Sequence, residues 1–137
     1  MTFAGISYLA VIAAAVAAFL FGAFWYTTLG KYWMAACGKT EADKPKSMPI
    51  GPLVTTFIGQ LVMAWVLAGL IGHFGSAAVT VRDGMISGAF CWLGFVIATL
   101  APNYAFQGRP LALTAIDGGH WLGVLLVEGA VIGAIGV

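Results

Sequence analysis

Asp117, His120 and Glu128 place a carboxyl, an imidazole and a second carboxyl in a stretch, Leu111 to Val137, that is otherwise apolar. These are the groups that relay protons or hold cations inside a membrane. On an α-helix the eleven positions from Asp117 to Glu128 make about three turns plus 20°, so the two carboxyls point the same way, stacked about 16 Å apart. His120 lies about 60° to one side of that line. Trp121 and Val124 fall between the acids, while Gly119, Gly123, Gly129, Ala130 and Gly133 fall on the opposite face. A purely structural assignment competes with the relay. In it Asp117 bonds to a helix start or to Arg109, His120 bonds to Asp117 three residues back, and Glu128 pairs with Gln60 or stays neutral.

Enzyme chemistry is not expected. The acids stand farther apart than the roughly 5–10 Å of a carboxyl dyad, and Ser7, Ser47, Ser76 and Ser87 lie in no nucleophile motif. Neither Cys37 nor Cys91 has ligand-spaced neighbours for a metal, and their different depths argue against a disulfide. His73 and His120 are expected at different depths too, which disfavours a haem held by both. The reading therefore includes no cofactor.

The elements that carry these residues follow from composition. The chain has 137 residues, 61% of them hydrophobic and 8% charged, with a mean hydropathy of +0.99. Soluble domains carry about 25% charged residues, so this is an all-α integral membrane protein, a four-helix bundle in one domain. A net charge of +1 provides no basic face for nucleic acid. At about 20 apolar residues per crossing, helices are predicted at 3–29, 53–72, 84–101 and 113–136. The first run is expected to be retained as helix 1, because its length of about 27 residues exceeds a signal-peptide core.

Small residues recur every fourth position: Ala10, Ala14, Ala18 and Gly22 on helix 1; Ala64, Ala68 and Gly72 on helix 2; Gly84 and Gly88 on helix 3; Gly129 and Gly133 on helix 4. Such stripes admit close helix approach. Helix 4 then has two contact faces, more than one bundle would consume, which predicts a homo-oligomer or docking to other membrane subunits. Trp25 and Tyr26 at the end of helix 1 are expected in an interfacial aromatic belt. Lys31 to Cys37 is read as a short interfacial helix stopped by Gly38, Asp83 as the cap of helix 3, and Pro102 as its end. Gly30-Lys31 and Gly108-Arg109 hint at a repeat of two hairpins.

Lys31, Lys39, Lys44, Lys46 and Arg109 flank the exits of helices 1 and 3, against Arg82 elsewhere. The positive-inside rule then makes loop 30–52 cytoplasmic and both termini extracytoplasmic. The expected role is a non-catalytic oligomeric or accessory subunit of a bacterial inner-membrane complex. The alternative is a small proton-coupled transporter or cation channel using Asp117, His120, Glu128 and Gln60.

Two groups of motifs carry a family likeness. One is Phe21-Gly22-Ala23-Phe24-Trp25-Tyr26 with Lys31-Tyr32-Trp33-Met34 and Gly38-Lys39-Thr40. The other is Trp92-Leu93-Gly94-Phe95, Asn103-Tyr104, Phe106, Gly108-Arg109-Pro110-Leu111 and Ile116-Asp117-Gly118-Gly119-His120. In order and spacing the chain resembles the bacterial membrane family of domain of unknown function 1761 over nearly its whole length. The resemblance implies four membrane helices and transfers no catalytic residue. The family pattern has Asn or Asp followed by Gly-Tyr where this chain has Asp117 and His120, so the histidine is a departure.

Overall fold

A computed structural model describes residues 5–137. Its long helices are α1 (Tyr8–Ala36), α2 (Ile50–His73), α3 (Val81–Phe106) and α4 (Leu111–Ile135), with no strand among the described residues. They are 29, 24, 26 and 25 residues long. At 1.5 Å per residue each exceeds a hydrocarbon core of about 30 Å. The chain is a multi-pass membrane protein built as an antiparallel four-helix bundle. Helix α4 packs broadly against both α1 and α3, and α2 leans mainly on α1.

The helix ends depart from the sequence reading in instructive ways. The predicted start of helix 1 at residue 3 lies outside the described residues; α1 begins at Tyr8, capped by the Ser7 hydroxyl, which accepts from the Ala10 N–H over 3.2 Å. Helix 1 also does not stop at Leu29. It runs unbroken through Gly30 and Lys31 to Ala36, because a long basic side chain near a membrane surface can extend to water without ending the helix. The stop is at Gly38, whose φ of 71° lets its N–H reach the Ala35 carbonyl while Lys39 reaches Met34. Gly108 ends α3 by the same pair of bonds, to Ala105 and, from Arg109, to Tyr104. The matching exits are thus Gly38-Lys39 and Gly108-Arg109, rather than the Gly30-Lys31 pairing inferred from sequence.

Helix α3 starts at Val81 with Thr80, not Asp83, as its cap: the Thr80 hydroxyl accepts from the Asp83 N–H over 3.0 Å. Pro102 does not end it. Proline removes one backbone donor and crowds the carbonyl four residues back, yet α3 widens to a π-helical turn over Trp92–Ile97 just upstream. There the Thr99 hydroxyl lies 2.9 Å from the Phe95 carbonyl and 3.0 Å from that of Val96. Side-chain donors and local π geometry are what let a membrane helix pass a proline.

The core is small-residue packing rather than large side chains. Ala10, Ala14, Ala18, Ala64 and Ala68 are completely buried, and Ile6, Leu67, Ile71, Leu125 and Ile132 fill the spaces between the stripes. At the α3–α4 contact a Cβ on Gly84 would overlap the Gly129 carbonyl oxygen, and one on Gly133 would overlap that of Thr80. A Cβ on Gly88 would likewise overlap the Leu125 carbonyl oxygen. On the α1 side Gly119 meets the Trp25 ring and Gly123 the Phe21 ring. The second face of α4, assigned from sequence to another molecule, is covered within this chain.

Candidate functional site: a polar line inside the bundle

Three consecutive residues of α4 are tied to its neighbours. Trp25 of α1 donates its indole N–H to the Ile116 carbonyl over 3.0 Å, and Trp92 of α3 donates to the Gly118 carbonyl over 2.8 Å. Between them Asp117 accepts from the Tyr26 hydroxyl at Oδ1 and from the Tyr104 hydroxyl at Oδ2, each over 2.6 Å. Both are at the short end of the hydroxyl range. Tyr104 reaches this position because α3 continues past Pro102, and Trp92 sits at the first residue of the π-helical turn.

These four aromatic residues were not foreseen as site residues. Trp25 and Tyr26 turn inward and are partly buried, whereas Phe24, 67% exposed, and Tyr32, 63% exposed, face outward. Asp117 is bound by tyrosines instead of Arg109, a helix start or His120.

His120, one turn further along α4, is 3% exposed. Its imidazole lies over Gly22, where a Cβ would stand 2.8 Å from Nε2, so the end of the α1 stripe is the space this ring needs. Tyr26 and Trp121 flank the ring with centroids 4.8 and 4.6 Å away. Its Nδ1 has no hydrogen-bond partner within the chain.

Gln60 and Glu128 are completely buried, and the hydrogen bond between them, one of the two alternatives drawn from the sequence, is absent. Both amide atoms of Gln60 and both carboxyl oxygens of Glu128 lack a partner within the chain. An unsatisfied buried polar group costs about 1–3 kcal/mol, so four such atoms on two residues, with His120 Nδ1 as a fifth, require an explanation. Helix register sets their depth: Phe19 meets Phe57 on α2, and Gly22 meets His120 on α4. Counting along the helices puts Gln60 and Glu128 at nearly one level, about 3 Å apart along the bundle axis.

Two cavities adjoin this line. One, of about 260 Å³, lies between α1, α2 and α4 and is lined by Phe19, Ala23, Leu53, Gln60, His120 and Trp121 among others. The other, of about 1030 Å³, is a vestibule at the charged-loop end bordered by Lys31, Glu41, Lys44 and Asp117. Tyr26, Thr56 and Trp121 line both. In the loop outside the spans, Thr40 donates its backbone N–H and its hydroxyl to Asp43, holding that carboxyl below its ordinary range. Burial pushes the Cys37 thiol up. Among the described residues no three His, Cys, Asp or Glu side chains are grouped as a metal site would need.

The family model described as Protein of unknown function (DUF1761) matches residues 9–133. The chain belongs to this family. The DUF1761 match takes in both tryptophan tethers, both tyrosines and the line from Asp117 through His120 and Gln60 to Glu128. No curated protein and no solved structure matches the chain. All four tethering aromatics lie in the motifs that carry the DUF1761 resemblance. That shared placement was the available signal for them, since belt and tether residues have the same composition.

Proposed function

We propose that this chain is a non-catalytic protein of the bacterial cytoplasmic membrane, with both termini extracytoplasmic, that passes protons or small cations along the polar interior of its bundle. The observation that carries the reading is the pair of wholly buried, unpartnered side chains Gln60 and Glu128 behind Asp117 and His120. A fold does not bury so many unsatisfied polar atoms without a compensating role or bound water. In this reading the vestibule admits water to Asp117, where two tyrosine hydroxyls steady the carboxyl. His120, with two ring nitrogens, takes a proton on one and releases it from the other. Gln60 and waters hand it on to Glu128, the inner station. Proteoliposomes containing a pH-sensitive dye test this. Glu128→Gln and Asp117→Asn are expected to lower flux about tenfold or more, the scale set by losing a proton-transfer group, with assembly intact. Wild-type flux no greater than that of empty liposomes overturns it.

A second reading, an accessory or oligomeric subunit, is favoured by α3, in whose most apolar 18-residue stretch 11% of the residues are buried against 39% in that of α4. Phe90, Leu93 and Phe95 lie on its exposed surface. On that reading a partner helix, or a second copy, docks on α3, and substitution of Phe95 by Lys dissociates the assembly.

A further inference from the structure

The geometry points to the cavity of about 260 Å³ between α1, α2 and α4 as a binding site for a membrane-soluble quinone. The inference rests on this cavity alone and does not depend on proton passage.

The site has polar ends and apolar walls. Gln60, completely buried with both amide atoms unpartnered, and His120, 3% exposed with Nδ1 unpartnered, both line it. By the helix register their backbones stand about 9 Å apart along the bundle axis, leaving a gap that two facing side chains span only with something between them. The walls of that gap are mainly Phe19, Leu53 and Trp121, with Tyr26 and Thr56 where it adjoins the vestibule. Water can satisfy the polar atoms at the ends of this space but gains nothing from its apolar walls, since each buried water needs two to four polar partners. A flat body with an acceptor at each end does suit it: a ring whose opposed carbonyl oxygens accept from the Gln60 amide N–H and an imidazole N–H of His120, stacked against aromatic faces.

Access selects for a lipid-soluble ligand. Ala23, exposed on the cavity lip, lies fifteen residues after the start of α1 and thirteen before its end. That position is in the hydrocarbon layer and not at either surface. A ligand entering there comes from the bilayer, and an isoprenoid or alkyl tail trails back into it through the same opening.

Photolabelling decides the matter. The protein in lipid nanodiscs is irradiated with an azido-benzoquinone bearing a short alkyl tail, with decylubiquinone as competitor, and the labelled peptides are mapped. The label is expected on residues 19–26 or 119–121, displaced by the competitor. Ala23→Trp, which fills the lip from an exposed position, and Gln60→Leu, which removes one donor, are each expected to reduce specific labelling about fivefold or more, the scale of one lost hydrogen bond. Label scattered over the lipid-facing residues of α2 and α3 without competition overturns the assignment. So does undiminished labelling of Ala23→Trp, a variant with no core side chain to disturb.

Discussion

Tyr26 and Asp117 are 91 positions apart in the chain and joined by a 2.6 Å hydrogen bond. Tyr104 occupies the second carboxyl oxygen at the same distance, so one side chain of α4 is gripped from α1 and α3 together. Tyr26→Phe and Tyr104→Phe are each expected to cost about 1–2 kcal/mol. The double variant is expected to cost more than the two together, because only the second removal leaves the carboxyl with no donor. Reversible unfolding in mixed micelles of all three variants measures the excess. Strict additivity would mean that the hydroxyls do not share one acceptor group.

Glycine substitutions should rank by what a methyl group meets. Gly84→Ala drives a carbon into the Gly129 backbone, which cannot yield without parting α3 from α4, and a loss of about 3 kcal/mol or more is expected. Gly22→Ala meets only the imidazole tip of His120 at 2.8 Å, a group that can shift, so its cost should be smaller. Gly59→Ala meets nothing within 4 Å and should gain about 0.5–1 kcal/mol from helix propensity. Thermal unfolding in one detergent gives the order, and a tolerated Gly84→Ala would contradict the α3–α4 contact.

The four spans and the residues Asp117, His120, Glu128 and Gln60 were readable from composition, because each is either a long apolar run or a polar exception within one. Helix ends were less so. Lys31 and Pro102 look like stops locally, but the helices end where Gly38 and Gly108 adopt positive φ, seven and six residues further on. Lysine can reach water from within a span, and the effect of a proline depends on the π-helical turn before it. The tethers were hidden for a different reason. Whether Trp25, Tyr26, Trp92 and Tyr104 face headgroups or α4 depends on the rotation of one helix against another, a non-local relation that no periodicity within a single run encodes. Of the two alternatives for Glu128, pairing with Gln60 or staying neutral, the pairing is absent for the same reason: the two share a depth without sharing a hydrogen bond.

Acid should loosen the loop after α1 through Asp43. The Thr40 backbone N–H, 2.7 Å away, and the Thr40 hydroxyl, 3.1 Å away, hold this carboxyl below its ordinary value of 3.8. A carboxyl lowered by folding contributes stability above its unfolded pKa and loses it as pH falls through the folded one. The Thr40 amide resonance should therefore titrate with a midpoint below 3.8, and Asp43→Asn should abolish that titration. A midpoint at or above the ordinary value would show that the turn does not hold in solution.

Glu128 separates burial for structure from burial for function. Both its oxygens lack a partner and the side chain is completely buried, so an apolar side chain of similar length removes an unsatisfied group without opening a cavity. Glu128→Met is therefore expected to stabilise the bundle by about 1–3 kcal/mol while abolishing flux in the proteoliposome assay. Most core substitutions destabilise, which makes a gain in stability with a loss of flux a specific signature of a site retained at the expense of the fold. Glu128→Gln keeps the shape and hydrogen-bonding capacity but cannot release a proton, so it should lose flux with little change in stability. If Glu128→Met instead unfolds the protein, the carboxyl has partners that matter more than its place in a relay, and the proton path through α4 is lost with it.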